Sequence, residues 1–299
     1  MSNDGIRDIG QVELDVQAKP EPARDTDHTS RVRKSFSQQQ RIALREKPPR
    51  DDIVIDTPPR ENEASGPLSD RRWDTPGCRD TDGGPIRQAR GRGDHRGPNF
   101  SIDVCPNGYA WWYIDGISAE GGRAISIIAF IGSVFSPWYR WSGRKDPFNN
   151  VCINVATYGP GGKFCMTDRA RPALRASEDV FEVGPSKLSW DGKQLTIDIN
   201  ELGAPPTLGR VRGQVIVRPH MVTDIEVLLT TDGAHIWRPF APSADIEVRL
   251  EQSGWSWDGH GYFDANFGTA ALVDDFSYWT WGRFPHSRGS VCFYAANRR

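Results

Sequence analysis

The stretch from Gly108 to Tyr139, GYAWWYIDGISAEGGRAISIIAFIGSVFSPWY, constrains the fold more than any other part of the protein. Tyr109 to Asp115 is aromatic and β-prone. Ile117 to Gly122 is a polar, glycine-containing turn. Arg123 to Phe135 is rich in Ile, Val and Phe and is closed by the breaker Ser136-Pro137. This is the pattern of a β-hairpin with a long second strand. The residues before it read as unfolded, and those after it repeat its style of short aromatic strands.

Composition explains the asymmetry. The first 98 residues hold only Phe36 and Trp73 among the aromatics; all the others lie between Phe100 and Tyr294. Residues 1–98 therefore read as a disordered polar extension, with one short helical stretch at Ser37 to Lys47 and a basic run at Arg87 to Arg96. That run suits either a solvated linker or a weak contact with anionic lipid. Residues 99–299 read as a single β-domain, long enough to bury a sizeable core.

Within that domain, Asn150 to Tyr158 alternates as a strand and Gly159 to Gly162 is a turn. Asp191-Gly192 between Leu188–Trp190 and Gln194–Ile199 is a hairpin signal. Val211 to Val217, Asp224 to Thr230 and Asp245 to Glu251 are the next strands. Gly259 to Phe267, Phe276 to Arg283 and Ser290 to Tyr294 complete the set. There is no long amphipathic helix. Many short antiparallel strands indicate an all-β barrel or sandwich, and eleven tryptophans suit an aromatic-lined cavity.

Several functions are excluded or left unsupported. A net charge of −2 gives no reason to expect nucleic acid. The five cysteines have no zinc-site spacing, and their odd, scattered count argues for reduced thiols in a cytoplasmic compartment. Cys152 and Cys165 read as core residues. Six histidines show no HxH or HExxH pattern, so no metal site is expected. The N-terminus is too polar for a secretory signal. The longest apolar run, Ala124 to Phe135, is too short to span a bilayer as a helix. GxSxG, P-loop and dinucleotide motifs are missing.

Three clusters carry candidate chemistry. In His235-Ile236-Trp237, the His and Trp are two apart and share a strand face. In Tyr262-Phe263-Asp264, Tyr and Asp share a face. In Asp274 to Trp281, Trp279 and Trp281 alternate with Tyr278 and Thr280. Each has a plainer reading as core filling or turn formation. Pattern alone reaches an aromatic β-protein with an Asp/His/Tyr/Trp site and stops there.

The same blocks resemble the carotenoid 1,2-hydratase (hydroxyneurosporene synthase) family. The resemblance is carried by GYAWWYIDGIS at 108–118, IIAFIGSVFSPWY at 127–139 and DPFNNVCINVATYG at 146–159. It continues through HIWRPFAP at 235–242, GHGYFDANFG at 259–268 and DDFSYWTWGRF at 274–284. It implies a lipocalin-like all-β architecture of two β-halves that continues beyond Arg299, so that the sequence is short at its C-terminus. It implies cofactor-free addition of water to the C1–C2 double bond of acyclic carotenoids such as neurosporene or lycopene. It also implies peripheral contact with lipid of the inner photosynthetic membrane, for which Trp138, Tyr139 and Trp141 beside Arg140 and Arg144 are candidates.

The family's proposed active-site residues fall on His235, Trp237, Tyr262 and Asp264. On that basis Asp264 is expected to act as general acid with a raised pKa. Trp237 and Tyr262 would face the cation, and His235 would orient the attacking water and take its proton. Trp257, Phe263, Trp279 and Trp281 are the expected substrate-binding aromatics. A non-catalytic carrier of isoprenoids or other apolar ligands, or a sugar-active β-protein, would use similar residue types.

Overall fold

The structure, a computed structural model, describes residues 9–17, 97–204, 209–286 and 289–299. Fifteen strands dominate these described residues. They are β1 (Ile9–Gln17), β2 (Tyr109–Ser118), β3 (Ala124–Ile131), β4 (Val151–Tyr158), β5 (Phe164–Cys165), β6 (Leu174–Ala176), β7 (Val180–Val183) and β8 (Ser186–Trp190). They continue as β9 (Leu195–Leu202), β10 (Arg210–Pro219), β11 (Val227–Leu228), β12 (His235–Leu250), β13 (Ser256–Gly268), β14 (Phe276–His286) and β15 (Gly289–Arg298). Two short helices, α1 (Pro137–Trp141) and α2 (Leu272–Asp275), interrupt the pattern. The all-β expectation holds.

Twelve strands form one antiparallel sheet, ordered β5-β4-β3-β2-β13-β12-β10-β9-β8-β7-β6, with β11 beside β12. The sheet curls until β5 and the segment after it approach the end of β9. Ala204 N–H donates to Phe164 O at 2.7 Å, and Arg169 bridges to the buried Glu201 at 2.8 Å. A continuous apolar core fills the inside of the curl, from Trp112, Ile114 and Ile127 to Phe181, Val215, Phe240 and Phe263. A second sheet, β1-β15-β14, is separate. Between the two sheets lies a second core of Tyr109, Trp111, Tyr113, Phe130, Trp237, Tyr262, Phe276 and Tyr294.

This arrangement explains the aromatic run in β2. Its even-numbered residues Ala110, Trp112 and Ile114 enter the barrel core, and its odd-numbered residues Tyr109, Trp111 and Tyr113 enter the inter-sheet core. A strand buried on both faces carries no polar alternation, so its sequence reads as a continuous apolar stretch. The same parity divides β13: Phe263, Ala265 and Phe267 face the barrel, whereas Tyr262 faces the second sheet.

Strand β12 is longer than the sequence suggests because it runs through Pro239 and Pro242. The β12–β13 register shifts twice, between Arg238 and Ala241 and between Ala241 and Ala244. Two residues on β12 then oppose one on β13, and each shift contains a proline. Proline has no N–H for the ladder and is tolerated at a bulge. The single residues opposite these bulges are Asp264 and Tyr262.

Three expectations change. Ile9–Gln17 falls in the stretch expected to be disordered, yet it pairs with β15 over nine residues. The alternation of Val12, Leu14 and Val16 with Glu13, Asp15 and Gln17 is a strand signal that averaging over 98 residues conceals. Cys152, Cys165 and Cys292 are free and buried, but Cys105 is disulfide-bonded, against the expectation of reduced thiols throughout. Cysteine spacing does not reveal which thiols the fold brings together. The expected aromatic-lined barrel interior is instead a core of the barrel's own side chains. The Ser37–Lys47 helix, the Arg87–Arg96 run and Cys78 lie outside the described residues.

Candidate active site

The inter-sheet layer is assembled from three neighbouring strands and roofed by β14 and β15. On β13, Tyr262, Asp264, Asn266 and Gly268 point to one face by strand parity. Across from them on β2 stand Asp115, Tyr113, Trp111 and Tyr109 in that order. On β12, Trp237 pairs with Asn266 and His235 with Gly268. Trp279, Trp281, Cys292 and Tyr294 cover this grid from the second sheet.

Asp264 lies at its centre and is 3% exposed. Its Oδ2 accepts two hydrogen bonds, from Trp237 Nε1–H at 2.9 Å and from the Tyr262 hydroxyl at 2.8 Å. Its Oδ1 is buried and has no hydrogen-bond partner among the described residues. Burial raises the carboxyl pKa to about 7. The Trp237 and Tyr262 bonds oppose that rise, and nearby Asp115 adds to it. Desolvation favours the neutral acid, so a substantial fraction is protonated near neutrality. With both donors on Oδ2, the proton belongs on Oδ1.

The rings around this carboxyl form a tight group. Tyr262 lies 4.8 Å from Trp281 and 6.3 Å from Tyr113, centroid to centroid. Trp237 lies 5.5 Å from Tyr294. Their faces can stabilise positive charge in a site without bulk water. Arg283 of β14 reaches through the layer to Asp115, with Nε donating to Oδ1 at 2.7 Å. It also stands 5.8 Å from the Tyr262 ring and donates to His260 O.

His235 is fully buried and bonded through both ring nitrogens. Nε2 lies 2.8 Å from Asp275 Oδ2, and Nδ1 lies 2.9 Å from the Tyr109 hydroxyl. A carboxylate accepts only, so Nε2 carries the hydrogen and Nδ1 accepts from Tyr109. Burial lowers the His235 pKa against the pull of Asp275, which favours the neutral ring at pH 7. Both nitrogens are therefore engaged, and the water-binding role expected for His235 does not match its bonding. Gly268 makes this contact possible: a Cβ there would collide with the Tyr109 ring and stand 2.9 Å from His235 Nδ1.

The structure brings Trp237, Tyr262 and Asp264 into direct contact, with Trp281 against Tyr262 and Trp279 packed on the same layer. His235 belongs to the same layer by parity. Trp257 and Phe263 do not join them. Both belong to the barrel core, because each is an odd number of positions from Asp264 on a strand of period two. Tyr139, expected at a lipid surface, is 2% exposed and donates its hydroxyl to Gly108 O at 2.7 Å.

Sequence reasoning missed Tyr113, Asp115, Tyr294 and Asn266 as members of the site. It read Asp275 as a turn former, although Asp275 also holds His235. Their parity was available, but the sheet that covers them was not.

An all-β protein with a buried, protonatable carboxyl enclosed by aromatic rings has the features of an acid–base site for an apolar molecule. The chain belongs to the carotenoid hydratase CrtC family, whose model matches residues 127–299. It is 62% identical over 173 residues to an acyclic carotenoid 1,2-hydratase of Cereibacter sphaeroides, covering 58% of this chain and 62% of that protein. It is 43% identical over 241 residues to the acyclic carotenoid 1,2-hydratase of Thiocapsa roseopersicina, covering 79% of this chain and 59% of that protein. The chain thus spans about three-fifths of the length of these curated relatives. The crystal structure of CghA overlaps with a TM-score of 0.38 at 9% identity, covering 65% of this chain and 59% of that one. An overlap of that size adds nothing to the architecture described above.

Proposed function

We propose that residues 99–299 form a β-body that hydrates the C1–C2 double bond of acyclic carotenoids such as neurosporene and lycopene, without a cofactor. The observation that carries this reading is the Asp264 carboxyl, buried among aromatic rings with a pKa raised to about 7. Hydrating a trisubstituted alkene starts with proton transfer to the less substituted carbon. That step needs an acid still protonated near neutral pH, and an exposed Asp would be ionised there.

In the proposed sequence, Asp264 Oδ1–H gives its proton to C2 and the π electrons form the new C–H bond. A tertiary cation remains at C1. Trp237 and Tyr262 hold Oδ2 and present ring faces to that charge, each worth about 2 kcal/mol when desolvated. A water molecule then adds to C1 and loses a proton to the Asp264 carboxylate, which restores the acid. His235, anchored by Asp275 and Tyr109, positions the Trp237 end of β12.

The polyene substrate is membrane-soluble, which requires contact with lipid. Among the described residues, no helix is long and apolar enough to cross a membrane. Helix α1 presents Trp138 and Trp141, 62% and 70% exposed, beside exposed Arg140. These side chains suit insertion at a lipid surface.

Incubation of the protein with lycopene in lipid vesicles in deuterated water, followed by mass analysis, tests the reading. The expected product is hydroxylated and carries one non-exchangeable deuterium at C2. Asp264→Asn is expected to abolish it while leaving the fold intact. Turnover by that variant would remove Asp264 from the mechanism, and bound but unaltered lycopene with the unsubstituted protein would favour a carrier.

A further inference from the structure

We propose that Asn266 holds the water molecule that attacks the substrate cation, and that its side-chain amide and Asp264 Oδ1 form one water site. This rests on the hydratase reading above and assigns the position of its second reactant. Asn266 is 1% exposed, yet its Nδ2 has no hydrogen-bond partner among the described residues. The Tyr294 hydroxyl on β15 stands close enough to this amide for the contact to favour its ionised form, but the geometry falls short of a hydrogen bond to Nδ2. Buried amide donors are rarely left unpartnered, so an unpartnered one marks a place for a small polar ligand.

The neighbouring unpartnered atom is Asp264 Oδ1. Asn266 and Asp264 are two residues apart on one face of β13, which puts their Cα atoms about 6.7 Å apart. Their side chains thus lie side by side, within the span of one bridging water. Asp264 Oδ2 holds Trp237 and Tyr262 and both His235 nitrogens are engaged, while Trp281 Nε1 on the covering sheet is a further buried donor without a partner. Water needs two or more polar contacts to be held in a buried site. Asn266 Nδ2 as donor and Asp264 Oδ1 supply two.

The chemistry balances around a single carboxyl. The Oδ1 proton passes to C2, leaving a carboxylate beside the cation. The water lone pair forms the C1–O bond. One water proton passes to the Asp264 carboxylate, and the other remains as the product hydroxyl. Asn266 takes no proton; it fixes the water oxygen near C1. It is a positioning residue, and its loss should leave cation formation possible while slowing capture. An uncaptured cation gives a proton back to the carboxylate. In deuterated water, return of the delivered deuteron is silent, but loss of the original C2 hydrogen or of a hydrogen from a rotating C1 methyl leaves an alkene that carries deuterium at C2.

The test measures, in deuterated water, deuterium in recovered lycopene and hydroxylated product from the same incubation. Asn266→Leu, close in shape but without donors, should raise the exchange-to-hydration ratio roughly tenfold or more. Asn266→Ser, which restores a donor, should bring the ratio part of the way back. The ratio is internal to the active molecules, so partial misfolding does not alter it. An unchanged ratio, or loss of exchange and hydration together, would overturn the assignment. If the unsubstituted protein neither exchanges nor hydrates, the hydratase reading fails for it. A high-resolution crystal structure then decides the water site separately. A water bonded to Asn266 Nδ2 and Asp264 Oδ1 supports it, and a protein atom bonded to Nδ2 overturns it.

Discussion

Asp264 dominates at the residue scale, because its proton can be read by activity and by stability. The proposed acid is active when protonated, so the hydration rate should fall as pH rises through about 7. In the unfolded state the same group loses its proton near 3.8. Between these values the folded state binds more protons, so this group makes stability fall with rising pH. Asp264→Asn removes that penalty. Denaturant unfolding at pH 8 should show the variant more stable, by on the order of 4 kcal/mol, with most of the difference gone near pH 4. Gly268 supplies a second residue-scale prediction. Gly268→Ala should drive Tyr109 from His235, lowering the melting temperature and cutting hydration several-fold or more, since the added methyl meets a ring and a ring nitrogen rather than open space.

At the scale of elements, the bulged strand and the short helix matter most. The bulges of β12 at Pro239-Phe240 and Pro242-Ser243 widen the ladder opposite Asp264 and Tyr262. Such irregularities re-aim side chains, and these two lie beside the site. Helix α1 is held to the body by Tyr139, whose hydroxyl bonds to Gly108 O, while its two tryptophans stand outward as an edge-to-face pair at 5.0 Å. Trp138→Ala with Trp141→Ala should leave the melting temperature within about 1 °C of the parent, because exposed side chains contribute little to stability. The double variant should sediment with anionic vesicles at least severalfold less. Unchanged sedimentation would place the lipid contact elsewhere.

At the scale of the whole molecule, the Asp115–Arg283 pair ties the two sheets together. Both side chains are 5% exposed. Arg283 belongs to β14 and Asp115 to β2, so the pair spans the layer that contains Asp264. Replacing one partner leaves a buried charge without its counter-ion. Arg283→Met should destabilise the fold by about 3–5 kcal/mol in denaturant unfolding, and adding Asp115→Asn should recover much of that loss. A loss equal in the single and double variants would show that the pair is not coupled. The covering sheet also supplies the low dielectric that keeps Asp264 neutral, so undocking it should return the carboxyl toward its ordinary value.

The sequence by itself determined most of the strands, the turns and the parity of the side chains. Period-two alternation put Tyr262 with Asp264 and His235 with Trp237, but the pairing of β12 with β13 is what brings the two pairs into one layer. It also identified Asp191-Gly192 as a hairpin turn, where Asp191 Oδ1 accepts from Lys193 and Gln194 N–H. The same parity could have separated Phe263 and Trp257 from Asp264, but aromatic character masked it. Tertiary structure alone decided which face of β13 became a site. Both faces are buried, one carrying Phe263, Ala265 and Phe267 and the other Tyr262, Asp264 and Asn266, and only the docking of β14 and β15 encloses the second around its carboxyl. It also decided the partner of His235, because Asp275 is forty residues away and reaches it through a turn after β13. Local sequence fixes where a side chain points. The proton on Asp264 and the bonds of His235 depend on dielectric and on contacts between distant segments, and those exist only once the sheets have packed.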